Sequence, residues 1–277
     1  MDPITKRLIT LALKEDLGPK GDLTSKAILG NLEAKAVLKL KCEAVLFGQE
    51  IFKEVFRQVD KRVSISFLYD DGIFLAGPCL VAELAGKASS ILKAERTALN
   101  FLCFLSGIAT QTRHYVEEAR KYGATRILDT RKTLPGLRLI SKAAVRAGGG
   151  ENHRFGLYDM VLIKDNHIDA AGSIRMAVQA VRRSYQKRYK VEVECRNLAE
   201  VKEALEAGVD RIMLDNMSQA ELAACLKEIA GRVETEVSGG VGLEDLKRIV
   251  PLNPTYISCG SLTHSVKSVD FSLDIVP

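Results

Sequence analysis

The strongest constraint on the fold is an alternation in the second half of the chain. Short apolar runs at 126–128, 160–163, 191–193, 211–214, 235–237 and 256–258 alternate with segments of helical spacing. Ile174, Ala177, Val178 and Val181 form one such apolar stripe. Ser218-Gln219-Ala220-Glu221 has the spacing of a capping box, and Asn197 is a second N-cap candidate. Repeated β-α units of this length predict a parallel α/β barrel. The competing open doubly wound sheet is disfavoured, because no G-x-G-x-x-G opens a helix after the first strand.

Each run ends in polar residues or glycine. Asp129-Thr130-Arg131-Lys132 follows the first and Lys164-Asp165-Asn166-His167 the second. Glu194 closes the third and Asp215-Asn216 the fourth. Ser238-Gly239-Gly240 and Cys259-Gly260-Ser261 end the last two. Barrel enzymes carry their chemistry at the C-terminal ends of the strands. The early ends supply cations, the middle ends carboxylates and the late ends glycine loops suited to phosphate. Glu194 and Asp215 could hold ribose hydroxyls and a Mg²⁺ that bridges to phosphate oxygens. Their plainer alternatives are a salt bridge to a barrel lysine for Glu194 and a turn or cap role for Asp215. His114 reads as an ordinary helix residue.

The densest chemistry lies between Asp129 and His167. Arg131, Lys132, Arg138, Lys142, Arg146, His153, Arg154, Lys164 and His167 surround Gly148, Gly149 and Gly150. Arginine presents a planar fork to carboxylate or phosphate, and lysine a compact charge. Consecutive glycines suit a backbone nest for an anion. A merely solvated basic face does not need three glycines or two histidines.

The first third reads as a small α+β unit. Its expected elements are a helix at 3–16, strands at 36–41, 62–67 and 80–84, and a helix near 49–59. A long helix follows over 89–121, with a break near Gly107. The domains are placed at 1–108, rejoined by 266–277, and at 109–265, with 271–275 returning to the first sheet.

Composition narrows the function classes. The 277 residues carry a formal charge of +5, but the signs alternate along the chain, unlike a nucleic-acid tail. There is no Trp, which argues against a base-stacking surface. The six cysteines form no C-x-x-C pair, so a zinc site or disulfide framework is not expected. The N-terminus lacks the pattern of a signal peptide, and no apolar run reaches membrane-spanning length. These features predict a cytoplasmic protein with no nucleic-acid or membrane partner.

The chain resembles the quinolinate phosphoribosyltransferases, the carboxylating nicotinate-nucleotide pyrophosphorylases. The match is carried by ERTALNFL at 95–102, SGIAT at 106–110, DTRKTLPGLR at 129–138 and GGGENHRFGLYDMVLIKDNH at 148–167. Glu192-Val193-Glu194, Leu214-Asp215-Asn216, Ser238-Gly239-Gly240 and Gly260-Ser261-Leu262-Thr263-His264 continue it. It extends over essentially the whole chain, with Val237 and Val241 as minor departures.

The resemblance implies a type II phosphoribosyltransferase: an N-terminal α/β sandwich domain and an incomplete parallel α/β barrel. It implies transfer of phosphoribosyl from phosphoribosyl pyrophosphate to quinolinate with loss of CO₂. The products would be nicotinate mononucleotide and pyrophosphate, within de novo NAD biosynthesis. It places Arg96, Thr130, Arg131, His153, Arg154 and Lys164 at quinolinate, with Arg96 arriving from the neighbouring subunit of a homodimer or higher oligomer. Lys132, Lys164, Glu194, Asp215, Ser238, Gly239, Gly240, Gly260, Ser261 and His264 fall to phosphoribosyl pyrophosphate, with Lys132, Glu194 and Asp215 catalytic. Mg²⁺ is expected near Glu194 and Asp215, held mainly by pyrophosphate and water. The alternatives are a related pyrophosphorylase-like paralogue acting on another anionic base or nucleotide, and a non-catalytic sensor that keeps the fold.

Overall fold

The structure, a computed structural model, describes residues 1–276. The chain opens with α1 (Pro3–Leu17), α2 (Leu23–Ile28), β1 (Glu33–Leu40), β2 (Ala44–Val45), α3 (Gln49–Val59), β3 (Ser64–Phe67), β4 (Phe74–Leu75), β5 (Cys79–Lys87) and α4 (Ala88–Arg120). It continues through β6 (Arg126–Leu128), α5 (Arg138–Ala147), β7 (Val161–Ile163), α6 (Asp165–Ala171), α7 (Ile174–Tyr185), β8 (Val191–Cys195) and α8 (Leu198–Glu206). The last elements are β9 (Arg211–Asp215), α9 (Gln219–Ile229), β10 (Glu234–Ser238), α10 (Leu246–Ile249), β11 (Tyr256–Ser258), α11 (Ser261–His264) and β12 (Phe271–Val276).

Local chemistry explains several boundaries. The Asp2 carboxylate accepts from the Ile4 and Thr5 amides with Pro3 in the first turn, so α1 begins there. Asp22 caps α2 by accepting from the Ser25 amide at 2.9 Å. The expected capping box at α9 is formed by Ser218 and Glu221, and Asn197 caps α8. Helix α4 is unbroken at Gly107, contrary to expectation. A Cβ there would lie 2.5 Å from the Lys267 carbonyl oxygen, so this glycine admits a close backbone neighbour instead of ending a helix.

Two compact units divide the chain. The first comprises 1–113, 134–149 and 265–277, of which Pro277 lies outside the described residues; the second comprises 114–133 and 150–264. This differs from the expected split at 108/109 and 265/266, chiefly because α5 belongs to the first unit. Its Ile140, Ala144 and Val145 are buried. A Cβ on Gly148 would overlap the Ala109 carbonyl and Thr112 of α4. The Gly148 carbonyl accepts from Arg113 Nε at 3.2 Å. In the first unit a four-stranded antiparallel sheet runs β12-β1-β5-β3. Leu38 faces Leu273 and Leu40 faces Phe271 in register. Phe52 of α3 meets Phe67 of β3 edge-on at 5.6 Å.

The second unit is built on a six-stranded parallel sheet in the order β7-β8-β9-β10-β11-β6, which leaves β6 and β7 as edges. Glu151 occupies the free side of β6: its amide donates to the Ile127 carbonyl, and its carbonyl accepts from the Asp129 amide. Strand alternation assigns the two faces. Val191, Val193, Cys195, Ile212, Leu214, Val237 and Ile257 form a buried apolar set. The other set carries Glu192, Glu194, Arg211, Met213, Asp215, Glu234, Glu236, Ser238, Tyr256 and Ser258. Register places Glu192 and Glu234 on either side of Arg211, and Glu194 and Glu236 on either side of Met213. The inner face of this incomplete barrel is therefore polar. None of the six cysteines is paired; Cys195, Cys225 and Cys259 are buried, whereas Cys42 is exposed. Among the described residues no helix is long and apolar enough to cross a membrane.

Candidate functional site

A cavity of about 360 Å³ opens at the C-terminal ends of the parallel strands. Thr130, Arg131 and Lys132 reach it after β6, His153 and Arg154 after the Glu151 segment, and Lys164 after β7. Glu194, Asp215, Ser238, Gly239, Gly240 and Gly260 complete the polar wall from β8 to β11. Twelve residues expected from sequence therefore converge on one hollow.

The cationic side is held by buried partners. Asp129, fully buried, accepts from Asn152 Nδ2 at 2.6 Å and from the His153 amide at 2.9 Å. Thr130 Oγ1 accepts from the Lys132 amide at 3.0 Å, which makes a tight turn. Thr263 Oγ1 donates to the Lys132 carbonyl at 2.9 Å and ties that turn to the Gly260 loop. Arg154 donates through Nη1 to the Met160 carbonyl at 3.1 Å, while its Nε is buried without an acceptor. Burial and the neighbouring charge of Arg131 both lower the Arg154 pKa. Two guanidiniums crowded in this way, one with an unmet donor, favour an anion between them.

The carboxylate side is differently arranged. Lys164 Nζ donates to Glu194 Oε2 at 2.5 Å, so the plainer expectation for Glu194, a barrel ion pair, holds. Asp215 accepts from Asn216 Nδ2 at 2.6 Å and sits opposite Ser238 in register. Its oxygens and the Ser238 hydroxyl are hard donors at the cavity mouth. They suit a Mg²⁺ that keeps most of its contacts to water and phosphate. Gly239 adopts φ +107°, and a Cβ there would overlap the Asn216 amide oxygen and crowd its backbone nitrogen at 2.8 Å. Gly239→Ala is expected to displace the β10 turn. Binding of a phosphate-bearing ligand should weaken at least about tenfold, given the cost of a strained φ > 0. Calorimetric titration checks this.

From the cavity wall at His153 and Glu236 a buried cluster extends to Glu192 and Arg211, and its two carboxylates were not among the expected site residues. His153 Nε2 is 3.1 Å from Glu192 Oε2 and 3.4 Å from Glu236 Oε2. Arg211 Nη1 lies 3.9 Å from Glu192 and 3.4 Å from Glu236. Burial and the Glu236 charge raise the Glu192 pKa to about 7. For His153 burial opposes the charged ring, and the two carboxylates outweigh it, favouring a value near 9. His153 Nδ1, however, accepts from the Arg154 amide at 2.7 Å. An imidazolium would set two N–H dipoles head to head there. We therefore assign the neutral ring with its proton on Nε2 and the extra proton of the cluster on Glu192. Among the described residues His153, Glu192 and Glu236 also form the one three-residue group with metal-ligand spacing. A metal-bound histidine donates its second N–H outward. Here that nitrogen accepts, and Arg211 adds a cation, so the donor set does not fit an ion.

The structure places the remaining expected residues as follows. His153 lines the cavity, and its Nδ1 accepts from the Arg154 amide at 2.7 Å. Arg138, Lys142 and Arg146 lie on α5 of the first unit. His167 Nδ1 accepts from the Lys164 amide at 3.0 Å. Gly148 serves helix packing, and Gly149, at φ +93°, ends the helical turn. Neither glycine lines the cavity. Ser261 and His264 sit on α11 behind Gly260, with Ser261 Oγ 3.3 Å from the Tyr115 hydroxyl. Arg96 is exposed on α4 and lines a separate hollow of the first unit with Glu15, Asp16 and Asn100. His114 is exposed, as an ordinary helix residue would be.

Comparison with known proteins agrees along the chain. Residues 22–106 match the N-terminal domain of quinolinate phosphoribosyl transferase, and residues 108–274 its C-terminal domain. A probable nicotinate-nucleotide pyrophosphorylase [carboxylating] of Bacillus subtilis (strain 168) is 43% identical over 270 residues, covering 98% of this chain and 93% of that protein. A quinolinate phosphoribosyltransferase [decarboxylating] of Nicotiana tabacum is 43% identical over 289 residues, covering 98% and 82%. The solved structure of the nicotinate-nucleotide pyrophosphorylase of Francisella tularensis superposes with TM-score 0.95 at 40% identity, over 99% of this chain and 96% of that one.

Proposed function

The chain belongs to the quinolinate phosphoribosyltransferase family, and from that premise we propose how its residues divide the work. The enzyme transfers phosphoribosyl from phosphoribosyl pyrophosphate to quinolinate and releases nicotinate mononucleotide, pyrophosphate and CO₂, a step of NAD biosynthesis. The observation that supports the assignment of roles is the cavity. Arg131, Lys132, Arg154 and Lys164 meet there opposite two carboxylates and a left-handed glycine turn.

Quinolinate carries two adjacent carboxylates. Arg131 and Arg154 grip them, Lys164 adds a third charge, and the Thr130 turn sets the approach of Lys132. His153 lines the same side of the cavity and joins them at quinolinate. Phosphoribosyl pyrophosphate lies along Lys132, the Ser238-Gly239-Gly240 turn and Gly260, with Ser261 and His264 supporting the last loop. Glu194 and Asp215 take the ribose hydroxyls, and Lys164 releases Glu194 as it turns to the dianion. The ring nitrogen forms its bond to the ribose carbon while the carbon–oxygen bond to pyrophosphate breaks, and the electron pair leaves with pyrophosphate. Lys132 meets the charge that develops on that leaving group. Glu194 and Asp215 favour the cationic sugar. Mg²⁺ near Glu194 and Asp215, held mainly by pyrophosphate and water, neutralises phosphate charge when bound. The alkylated ring nitrogen then accepts the electron pair left by CO₂, and a proton takes its place on the ring carbon. The protein's contribution is positioning and electrostatics.

Arg96 completes the site from the neighbouring subunit of a homodimer. The enzyme works in the cytoplasm, without nucleic-acid or membrane partners. Mixed dimers of Arg96→Ala and Arg131→Ala subunits test the shared site. Each parent is expected to be nearly inactive. The heterodimer regains one intact site of two and about half the wild-type activity per dimer, provided the sites act independently. Heterodimers of verified composition that stay inactive would place Arg96 within its own chain. Calorimetry tests the substrate class: quinolinate should bind at least about a hundredfold more tightly than nicotinate, the cost of leaving buried cations without their second carboxylate.

A further inference from the structure

The chain leaves strand β6 after Leu128, runs through residues 134–149 of the first unit, and returns beside β6 at Glu151. The neck of this excursion is closed twice. The backbone closes it through Glu151, whose amide donates to the Ile127 carbonyl at 2.8 Å and whose carbonyl accepts from the Asp129 amide at 3.1 Å. Side chains close it through Asp129, which is fully buried and accepts from Asn152 Nδ2 on one oxygen at 2.6 Å and from the His153 amide on the other at 2.9 Å. A carboxylate engaged on both oxygens by the opposite arm is a rigid clamp. Arg131 and Arg154 each stand two residues beyond it, Arg131 after Asp129 and Arg154 after Asn152. Both line the cavity, and the charge of Arg131 bears on Arg154, so the two guanidiniums repel. Their repulsion acts to spread the arms, and the clamp opposes it.

We infer that the Asp129–Asn152 clamp sets the spacing between Arg131 and Arg154, and so makes the cavity selective for two adjacent carboxylates over one. This rests on reading the cavity as the quinolinate site. Asp129 and Asn152 are positioning residues, since neither lines the cavity. A mono-acid needs one guanidinium and tolerates a change in the distance between the two. The pyridine ring holds vicinal carboxylates at one separation, so both ion pairs form only when the arms match it. Guanidiniums held in place beforehand spare the dianion the cost of ordering them against their own repulsion. Asp129 suits this task because β6 fixes its backbone and burial keeps water from its oxygens. The Arg154 side chain is anchored on its own arm, through Nη1 to the Met160 carbonyl at 3.1 Å. That anchor fixes its direction and leaves its distance from Arg131 to the neck.

Asn152→Ala on the full-length enzyme tests the clamp, because it removes the side-chain donor and leaves the cavity lining intact. Calorimetry is expected to show the Kd for quinolinate raised about tenfold and that for nicotinate by less than about twofold, since only the dianion needs both arms in place. In an Arg131→Ala background one guanidinium of the pair remains, and the same change should cost quinolinate less than about twofold, as coupled neighbours do. Equal losses for the two acids, or equal losses in the two backgrounds, would mean general loosening and would overturn the inference. So would an unchanged quinolinate Kd. Asp129→Asn provides a second cycle if Asn152→Ala does not fold. Hydrogen exchange tests the clamp without a ligand. Amides at 151–154 should exchange at least about tenfold faster in Asn152→Ala, while those of β9 keep their rate. Unchanged exchange at 151–154, or equal acceleration in β9, would overturn the clamp. Failure of the wild-type enzyme to bind quinolinate, with faster exchange in the variant confined to 151–154, would instead overturn the reading of the cavity and leave the clamp standing.

Discussion

Arg131→Ala weakens quinolinate binding by roughly 2–5 kcal/mol, the cost of truncating one partner of a buried, hydrogen-bonded charge pair. Arg131 is half-buried, close enough to Arg154 to lower that residue's pKa, and set on the turn after β6. A dianion placed between the two guanidiniums relieves their repulsion and meets planar donors on both sides. Removing one leaves a carboxylate in a partly dehydrated cavity without its partner. Arg131→Lys should recover only part of the loss, because an ammonium lacks the bidentate fork. Affinity for phosphoribosyl pyrophosphate should change far less. Calorimetric titration with each substrate measures the difference. An unchanged quinolinate Kd would remove Arg131 from the site.

The second large effect is on stability. Arg211→Met is expected to destabilise the fold by about 3–5 kcal/mol, as loss of one partner from a buried ion cluster does. Arg211 lies within salt-bridge distance of Glu192, Glu234 and Glu236, and its side chain is 12% exposed. Its guanidinium also stacks on the Tyr256 ring at 4.2 Å, opposite Arg126 at the same distance. The methionine fills much of the volume but leaves Glu192 and Glu236 beside each other without the guanidinium that offsets them. Urea denaturation measures the loss. A change below about 1 kcal/mol would show that water, not Arg211, compensates these carboxylates.

The architecture and the cavity were legible for different reasons. The β-α alternation and the caps at Ser218 and Asn197 are local patterns, and local patterns survive folding. The strand ends at Thr130, Lys164, Glu194, Asp215 and Ser238 were legible because a parallel barrel directs every strand end to one side. Helix α5 was hidden by its cations. Arg138, Lys142 and Arg146 recur at helical spacing, yet inside a basic stretch they read as ligand-binding charges. Lys142 is in fact fully buried in the first unit. The glycines at 148 and 149 misled in the same way, since close packing and anion binding make the same demand on a missing side chain. The cluster beneath the cavity had a signal in the alternation Val191-Glu192-Val193-Glu194 and Glu234-Thr235-Glu236-Val237. That period of two places acids on one inner face. Which of them would meet His153 depends on strand order, and no single run carries that information.

The most direct test of the central claim is turnover by the purified protein with phosphoribosyl pyrophosphate and Mg²⁺, supplied with quinolinate or nicotinate in parallel. The account predicts nicotinate mononucleotide and CO₂ in equal amounts from quinolinate, and no product from nicotinate. Preferred use of nicotinate, or a folded enzyme that binds quinolinate and phosphoribosyl pyrophosphate without releasing CO₂, would contradict it.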